Sequence, residues 1–253
     1  MGNFQSGPAA GCRIQKGEIH IWRLEPEPGI DLARYSGLLS AGERERAARF
    51  LFPHLTRNFI ADHGRLRLIL GEYAGVAPES LEFALNEYGK PELANDAAAL
   101  RFNLSHTQGL TVVALCLDAP VGIDVEALRP MADYLQVAQS HFSPQEIDAL
   151  LETAECDREA AFFRCWTRKE AFLKAHGLGL SIPLDSFAVS LAEEAFPALL
   201  KVDWDTEERK RWSLVSLKLG EGFAGALAIP RGEWRLRFFD WQRGAQADEI
   251  AIG

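Results

Sequence analysis

Two carboxylates, Asp124 and Glu126, stand two residues apart in the run VGIDVE at 121–126. On a strand that spacing puts both on one face, with Ile123 and Val125 on the other. Like charges side by side repel unless a cation or basic group lies between them, and a hard divalent ion with oxygen ligands is the simplest such partner. Two solvated acids at an exposed strand end are the plainer alternative, and the pair alone favours it. Glu170 supplies a third carboxylate, in the segment FFRCWTRKEAFLKAHGLGL at 162–180. On an ideal helix it falls within the apolar stripe of Phe162, Phe163, Trp166 and Leu173. A carboxylate directed at a core is costly unless it is paired, protonated or bound to metal. Its plainer use is a surface i,i+4 ion pair with Lys174. Asn103-Leu104-Ser105-His106, read as the turn between two strands, offers a hydroxyl and an imidazole to an anion. Gly89-Lys90-Pro91 is a turn that fixes a lysine. Ser105 has no GxSxG context and the histidines form no HExxH, which leaves hydrolase and zinc-protease chemistry with little support.

The elements that must position these groups follow from periodicity. Residues 18–24 and 110–117 read as strands, with shorter strand candidates at 81–85, 99–104 and 121–126. Apolar residues recur at helical spacing over 41–52 and 57–73, with Pro53 between the two segments. Ser143-Pro144-Gln145-Glu146 is a capping box that opens a helix towards Glu152. Asp157 can cap the next helix, over 158–176, which ends at Gly177. Strands at 212–219 and 222–229 match the earlier pair at 99–104 and 110–117 in length and turn. The expectation is therefore an α+β chain of two similar halves: a flexible tail at 1–17, one half at 18–118 and a second at 119–253.

Composition restricts the class of ligand. The chain has 253 residues, 47% hydrophobic and 25% charged, and a formal net charge of -9, the wrong sign for a generic nucleic-acid or anionic-membrane binder. The excess is local: 116–157 holds nine acids against Arg129, whereas 41–70 holds six arginines against three acids. No apolar run approaches a membrane span and no signal sequence opens the chain, so the expected location is the cytoplasm. Cys12, Cys116, Cys156 and Cys165 form no CxxC pair and read as packing residues.

Taken in order, GKP at 89–91, FNLSH at 102–106, VGIDVE at 121–126 and the 162–180 segment resemble the 4'-phosphopantetheinyl transferases. The long, surfactin-synthetase-activating type is the closer match, from about Ser40 to Val189; the short trimeric carrier-protein synthases correspond to one half only. The resemblance implies a monomer of two α+β halves related by a pseudo-twofold axis, with the active site between them. It implies Mg²⁺-dependent transfer of the 4'-phosphopantetheine arm of coenzyme A to a serine of an apo acyl, peptidyl or polyketide carrier protein, releasing 3',5'-ADP. Under it Asp124, Glu126 and Glu170 hold Mg²⁺, and Lys174 lies near the reacting phosphate. Lys90, Ser105 and His106 contact the nucleotide and phosphates of coenzyme A. Arg46 serves the 3'-phosphate side, with Arg57 and His63 as candidates for the same duty. Glu170 is also the candidate acceptor of the serine proton, and residues 127–157 are expected to help dock the carrier. Two positions depart from the pattern: Glu43 replaces a basic residue, and His63 stands where an arginine is usual. The alternatives are a non-catalytic module that binds coenzyme A or a carrier protein, and a different metal-dependent phosphotransferase.

Overall fold

The structure, a computed structural model, describes residues 13–94, 99–242 and 245–252. Cys12 and residues 1–12 of the expected tail lie outside the described residues. Residues 13–17 lead into the first strand, and Lys16 meets Asp118 at 2.8 Å.

The first part of the chain runs β1 (Glu18–Leu24), α1 (Leu32–Leu38), α2 (Ala41–Ala48), α3 (Pro53–Ala74), β2 (Phe83–Leu85), β3 (Pro91–Leu93), β4 (Leu100–Thr107), β5 (Leu110–Leu117) and β6 (Gly122–Ala127). It continues through α4 (Tyr134–His141), α5 (Pro144–Glu152), α6 (Arg158–His176), β7 (Phe187–Val189), β8 (Leu199–Val202), α7 (Glu208–Arg211), β9 (Trp212–Ser216), β10 (Phe223–Pro230), β11 (Trp234–Asp240) and β12 (Ala245–Ile252). The expected capping box, Ser143 with Glu146 at α5, is present in full, and α2 opens on a second one that was not anticipated, Ser40 with Glu43. Asp157, expected to cap α6, makes no side-chain cap, because the chain enters α6 from a preceding 3₁₀ turn in helical conformation. Gly177 ends α6 as expected, left-handed at φ 79°. Pro53 is the first residue of α3 rather than a break before it, where its missing N–H costs nothing.

Strand alternation sorts the core into layers. The five-stranded sheet has the order β12-β11-β1-β5-β4 and the three-stranded sheet β6-β10-β9. One face of the larger sheet, with Trp22, Leu24, Val113 and Leu115, packs on Leu66, Ile69 and Leu70 of α3. Its other face, with Ile19, Ile21, Val112 and Ala114, packs on Ile123, Val125, Leu227 and Ile229 of the smaller sheet. Ala224, Ala226 and Ala228 on the far side of the smaller sheet share a core with Phe172 and Ala175 of α6. The result is a helix, sheet, sheet, helix stack of α+β class. Because Ile123 and Val125 face the inter-sheet core, Asp124 and Glu126 are turned to the α6 side.

Two close approaches set that arrangement. A Cβ on Gly122 would lie 2.1 Å from the Ala171 carbonyl oxygen and 2.2 Å from the Ala175 nitrogen, so only glycine lets α6 lie this near β6. On its other side, β6 meets side chains of β4: Asn103, Ser105 and Thr107 accept from the backbone N–H groups of Ile123, Val125 and Ala127 at 2.8, 3.3 and 3.1 Å.

Three features differ from the sequence reading. Asn103 to His106 lie on β4 rather than in a turn; the reversal comes three residues later, at Gly109 with φ 88°. Helices α1, α4 and α7 and strands β3, β7, β8, β11 and β12 were not expected. The last two cross the anticipated division at 118, since β11 pairs in parallel with β1 and completes the sheet of the first half.

Candidate active site

A cleft of about 570 Å³ opens where β4, β6, α3 and α6 converge. Its acidic wall is built from the rotation of α6. Lys169 and Glu170 are adjacent in sequence but are sent to opposite environments. The Lys169 side chain is fully buried, donating to Glu146 Oε1 and Oε2 at 2.7 and 2.6 Å and to the Phe187 carbonyl at 2.6 Å. Glu146 in turn caps α5 and accepts from the Val189 N–H. This internal ion pair fixes the roll of α6, and Glu170 then lines the cleft beside Trp166 and Lys174.

Asp124 is 5% exposed. Its Oδ1 accepts from Ser105 Oγ at 2.7 Å and from Lys174 Nζ at 2.6 Å, while Oδ2 is buried and has no hydrogen-bond partner. Lys174 also donates to Ser105 Oγ at 3.1 Å. Its ion pair is thus made across the cleft to β6 and not along the helix to Glu170, which removes the plainer surface-pair reading. Burial, and then the neighbouring charge of Asp124, push the Glu126 and Glu170 carboxyls above the ordinary carboxylate range; Glu126 is held by a hydrogen bond from Thr107 at 3.2 Å.

Mutually repelling oxygen donors and an orphaned buried Asp124 oxygen suit a hard divalent cation. The three acids line one cleft without being gathered into a closed ligand set: among the described residues no group of three or more His, Cys, Asp and Glu side chains is already clustered as metal ligands. The Lys174 ammonium stands at contact distance from Asp124 and partly balances the acidic wall.

The opposite wall is basic and aromatic. Arg46 lies over the Phe59 ring at 5.3 Å, and His63 stacks on the same ring at 3.9 Å. The two departures noted in the sequence prove to be partners, since His63 Nδ1 lies 3.3 Å from Glu43 Oε1. Burial alone would raise the Glu43 carboxyl. Hydrogen bonds with His63, Arg67 and Ser40 outweigh it and hold the group at about 2. The negative charge of Glu43 is therefore compensated within the wall. Ser105 and His106 both line the cleft, Ser105 buried and His106 exposed at its rim.

Two expected coenzyme contacts are not brought here. The Lys90 ammonium donates to the Val121 and Lys174 carbonyls at 3.0 and 2.7 Å, clamping the β2–β3 hairpin to β6 and α6. Burial lowers its pKa to about 8, and it is Gly89 and Pro91 on either side that line the cleft. Arg57 is exposed on α3, donates to the Glu27 carbonyl at 3.4 Å and does not line the cleft. The sequence reading in turn missed Asn103, Thr107 and Phe59. Alternation of short polar side chains at 103, 105 and 107 was the available signal for the first two, hidden by reading that segment as a turn.

The sequence model of the 4'-phosphopantetheinyl transferase superfamily matches residues 120–228, the stretch that carries β6 and α6. The 4'-phosphopantetheinyl transferase HetI of Nostoc sp. is 36% identical over 227 residues, covering 88% of this chain and 92% of its own. The 4'-phosphopantetheinyl transferase Sfp of Bacillus subtilis is 31% identical over 161 residues, 64% of this chain and 70% of its own. A phosphopantetheinyl transferase of Thraustochytrium sp. is 29% identical over 223 residues. Similarity that extends over nearly the whole length of HetI, together with a superfamily match centred on the acidic strand and helix, means that this chain belongs to the 4'-phosphopantetheinyl transferases.

Proposed function

We propose that the chain transfers the 4'-phosphopantetheine arm of coenzyme A to a serine hydroxyl of an apo carrier protein, releasing 3',5'-ADP. The observation that carries this reading is one cleft with three carboxylates and a lysine on one wall and an arginine and histidine on the other. The basic wall suits the phosphates of a nucleotide, and Arg46 and His63 on Phe59 are the residues assigned to the 3'-phosphate end.

Asp124, Glu126 and Glu170 are the residues that would hold Mg²⁺, which when bound neutralises the pyrophosphate and orients its oxygens. The chain's own groups do the rest. The serine oxygen forms a bond to the phosphorus that bears pantetheine, and the bond from that phosphorus to the bridging oxygen breaks. The electron pair leaves with 3',5'-ADP. Lys174 presents a fixed positive charge to that leaving group. Glu170 accepts the serine proton, and a carboxyl whose pKa is raised by burial is better matched to that duty than a solvated one. His106 completes the phosphate contacts at the rim, while Ser105 holds Asp124 and Lys174 in place beside it.

The cleft is complete within one chain, in keeping with a monomer. Cys116, Cys156 and Cys165 are free thiols, in keeping with a cytoplasmic location. No helix among the described residues is long and apolar enough to cross a membrane.

Incubation with coenzyme A, Mg²⁺ and a panel of apo carrier proteins is expected to add one phosphopantetheine arm to a carrier, read by mass spectrometry, with 3',5'-ADP recovered in equal amount. Carriers that stay unmodified across the panel overturn the reading.

A further inference from the structure

We propose that Thr107 is a positioning residue for the carboxylate pair of β6, fastening the strand backbone and the Glu126 side chain to β4 with a single hydroxyl. The inference rests on the reading above, in which Asp124 and Glu126 serve a divalent cation.

β6 is the outer strand of its sheet, so the N–H groups on its free edge need acceptors from elsewhere. β4 supplies them from side chains at every second residue, Asn103 to Ile123, Ser105 to Val125 and Thr107 to Ala127. The chemistry of each rung follows what stands one residue earlier on β6. A hydroxyl that accepts a hydrogen bond keeps its own proton to donate. Ser105 donates its proton to Asp124 at 2.7 Å, the residue before Val125. Thr107 donates its proton to Glu126 at 3.2 Å, the residue before Ala127. At the remaining rung the preceding residue is Gly122, with no side chain to orient, and the acceptor there is the Asn103 amide oxygen, which has no proton to give. The two hydroxyl rungs therefore coincide with the two carboxylates. Ser105 is shared with Lys174, whereas Thr107 is committed to Ala127 and Glu126.

A side chain that orients a ligand from behind typically contributes 10- to 100-fold in metal affinity. Thr107→Val keeps the β-branched shape and removes both bonds; Thr107→Ser keeps the hydroxyl. With coenzyme A present and no carrier, calorimetric titration of Mg²⁺ is expected to show about tenfold weaker binding for Thr107→Val and near-parental binding for Thr107→Ser. In the transfer assay the Mg²⁺ concentration for half-maximal rate is expected to rise by the same factor in Thr107→Val, while the KM for coenzyme A at saturating Mg²⁺ stays within about threefold. Parental Mg²⁺ affinity in Thr107→Val, or equal loss in Thr107→Val and Thr107→Ser, overturns the proposal, whatever either does to urea stability. Such a result with transfer intact in the unsubstituted chain leaves the functional reading standing. Failure of the unsubstituted chain to bind Mg²⁺ and to transfer overturns both.

Discussion

Glu170 is the side chain whose environment and assigned duty can be separated by experiment. Its carboxyl is raised by burial first and by Asp124 second, so ionisation is disfavoured where it sits. Glu170→Gln removes that charge while keeping the shape. It is expected to lower the single-turnover transfer rate by about 10²-fold or more, with an unfolding midpoint in urea equal to or above the parent's. Transfer at the parental rate would remove Glu170 from the proton step. At this scale the sequence was informative where residue type and spacing sufficed: the two-residue step of Asp124 and Glu126, and the place of Glu170 within an apolar stripe. It gave no sign of where the Lys90 ammonium turns, because its partners are backbone carbonyls of Val121 and Lys174, and every residue type has one.

The contact between α6 and β6 depends on a hydrogen atom at Gly122. Gly122→Ala places a methyl group against the Ala171 carbonyl and the Ala175 N–H, and neither can move without shifting the helix. The expected cost is about 1–3 kcal/mol of stability, with slower transfer because Lys174 withdraws from Asp124. Urea denaturation and transfer rate measured on one preparation test this, and parental values for both would show that the helix has room to spare. Elements with strong local signals were legible in advance: the capping box at Ser143, the apolar run of β5, and α6 with its terminal glycine. Helix α1 was not, since LARYSGL is short and carries a glycine and a serine. β11 escaped notice although Leu236 alternates with Arg235 and Arg237, because the strand that gives it meaning lies at the other end of the chain.

For the molecule as a whole, the join between the chain ends contains a pH-sensitive group. His20 on β1 is 1% exposed, with Nδ1 2.7 Å from the Tyr73 hydroxyl and Nε2 3.3 Å from Glu18, which Arg237 of β11 approaches at 3.7 Å. Burial dominates over the hydrogen bond with Glu18 and lowers the imidazole pKa from 6.5 to about 4. The unfolded chain takes up a proton below pH 6.5 that the folded chain refuses until about pH 4. The contribution of this group to stability therefore falls as the pH is lowered through that window, by an amount on the order of 3 kcal/mol. Urea midpoints measured from pH 7 to 5 are expected to decline, and His20→Phe to flatten the decline. A midpoint that is level in the parent over that range would place the titration elsewhere.

The parallel pairing of β1 with β11 has a consequence for synthesis. Arg23 and Asp240 are ion-paired neighbours 217 residues apart. While the ribosome is still building the middle of the chain, β1 has β5 on one side and an unsatisfied edge on the other, and no local contact can close it. The earlier strands therefore wait, as an incomplete sheet, for Trp234–Asp240 to emerge, and a ribosome stalled before Trp234 leaves a template for wrong pairing.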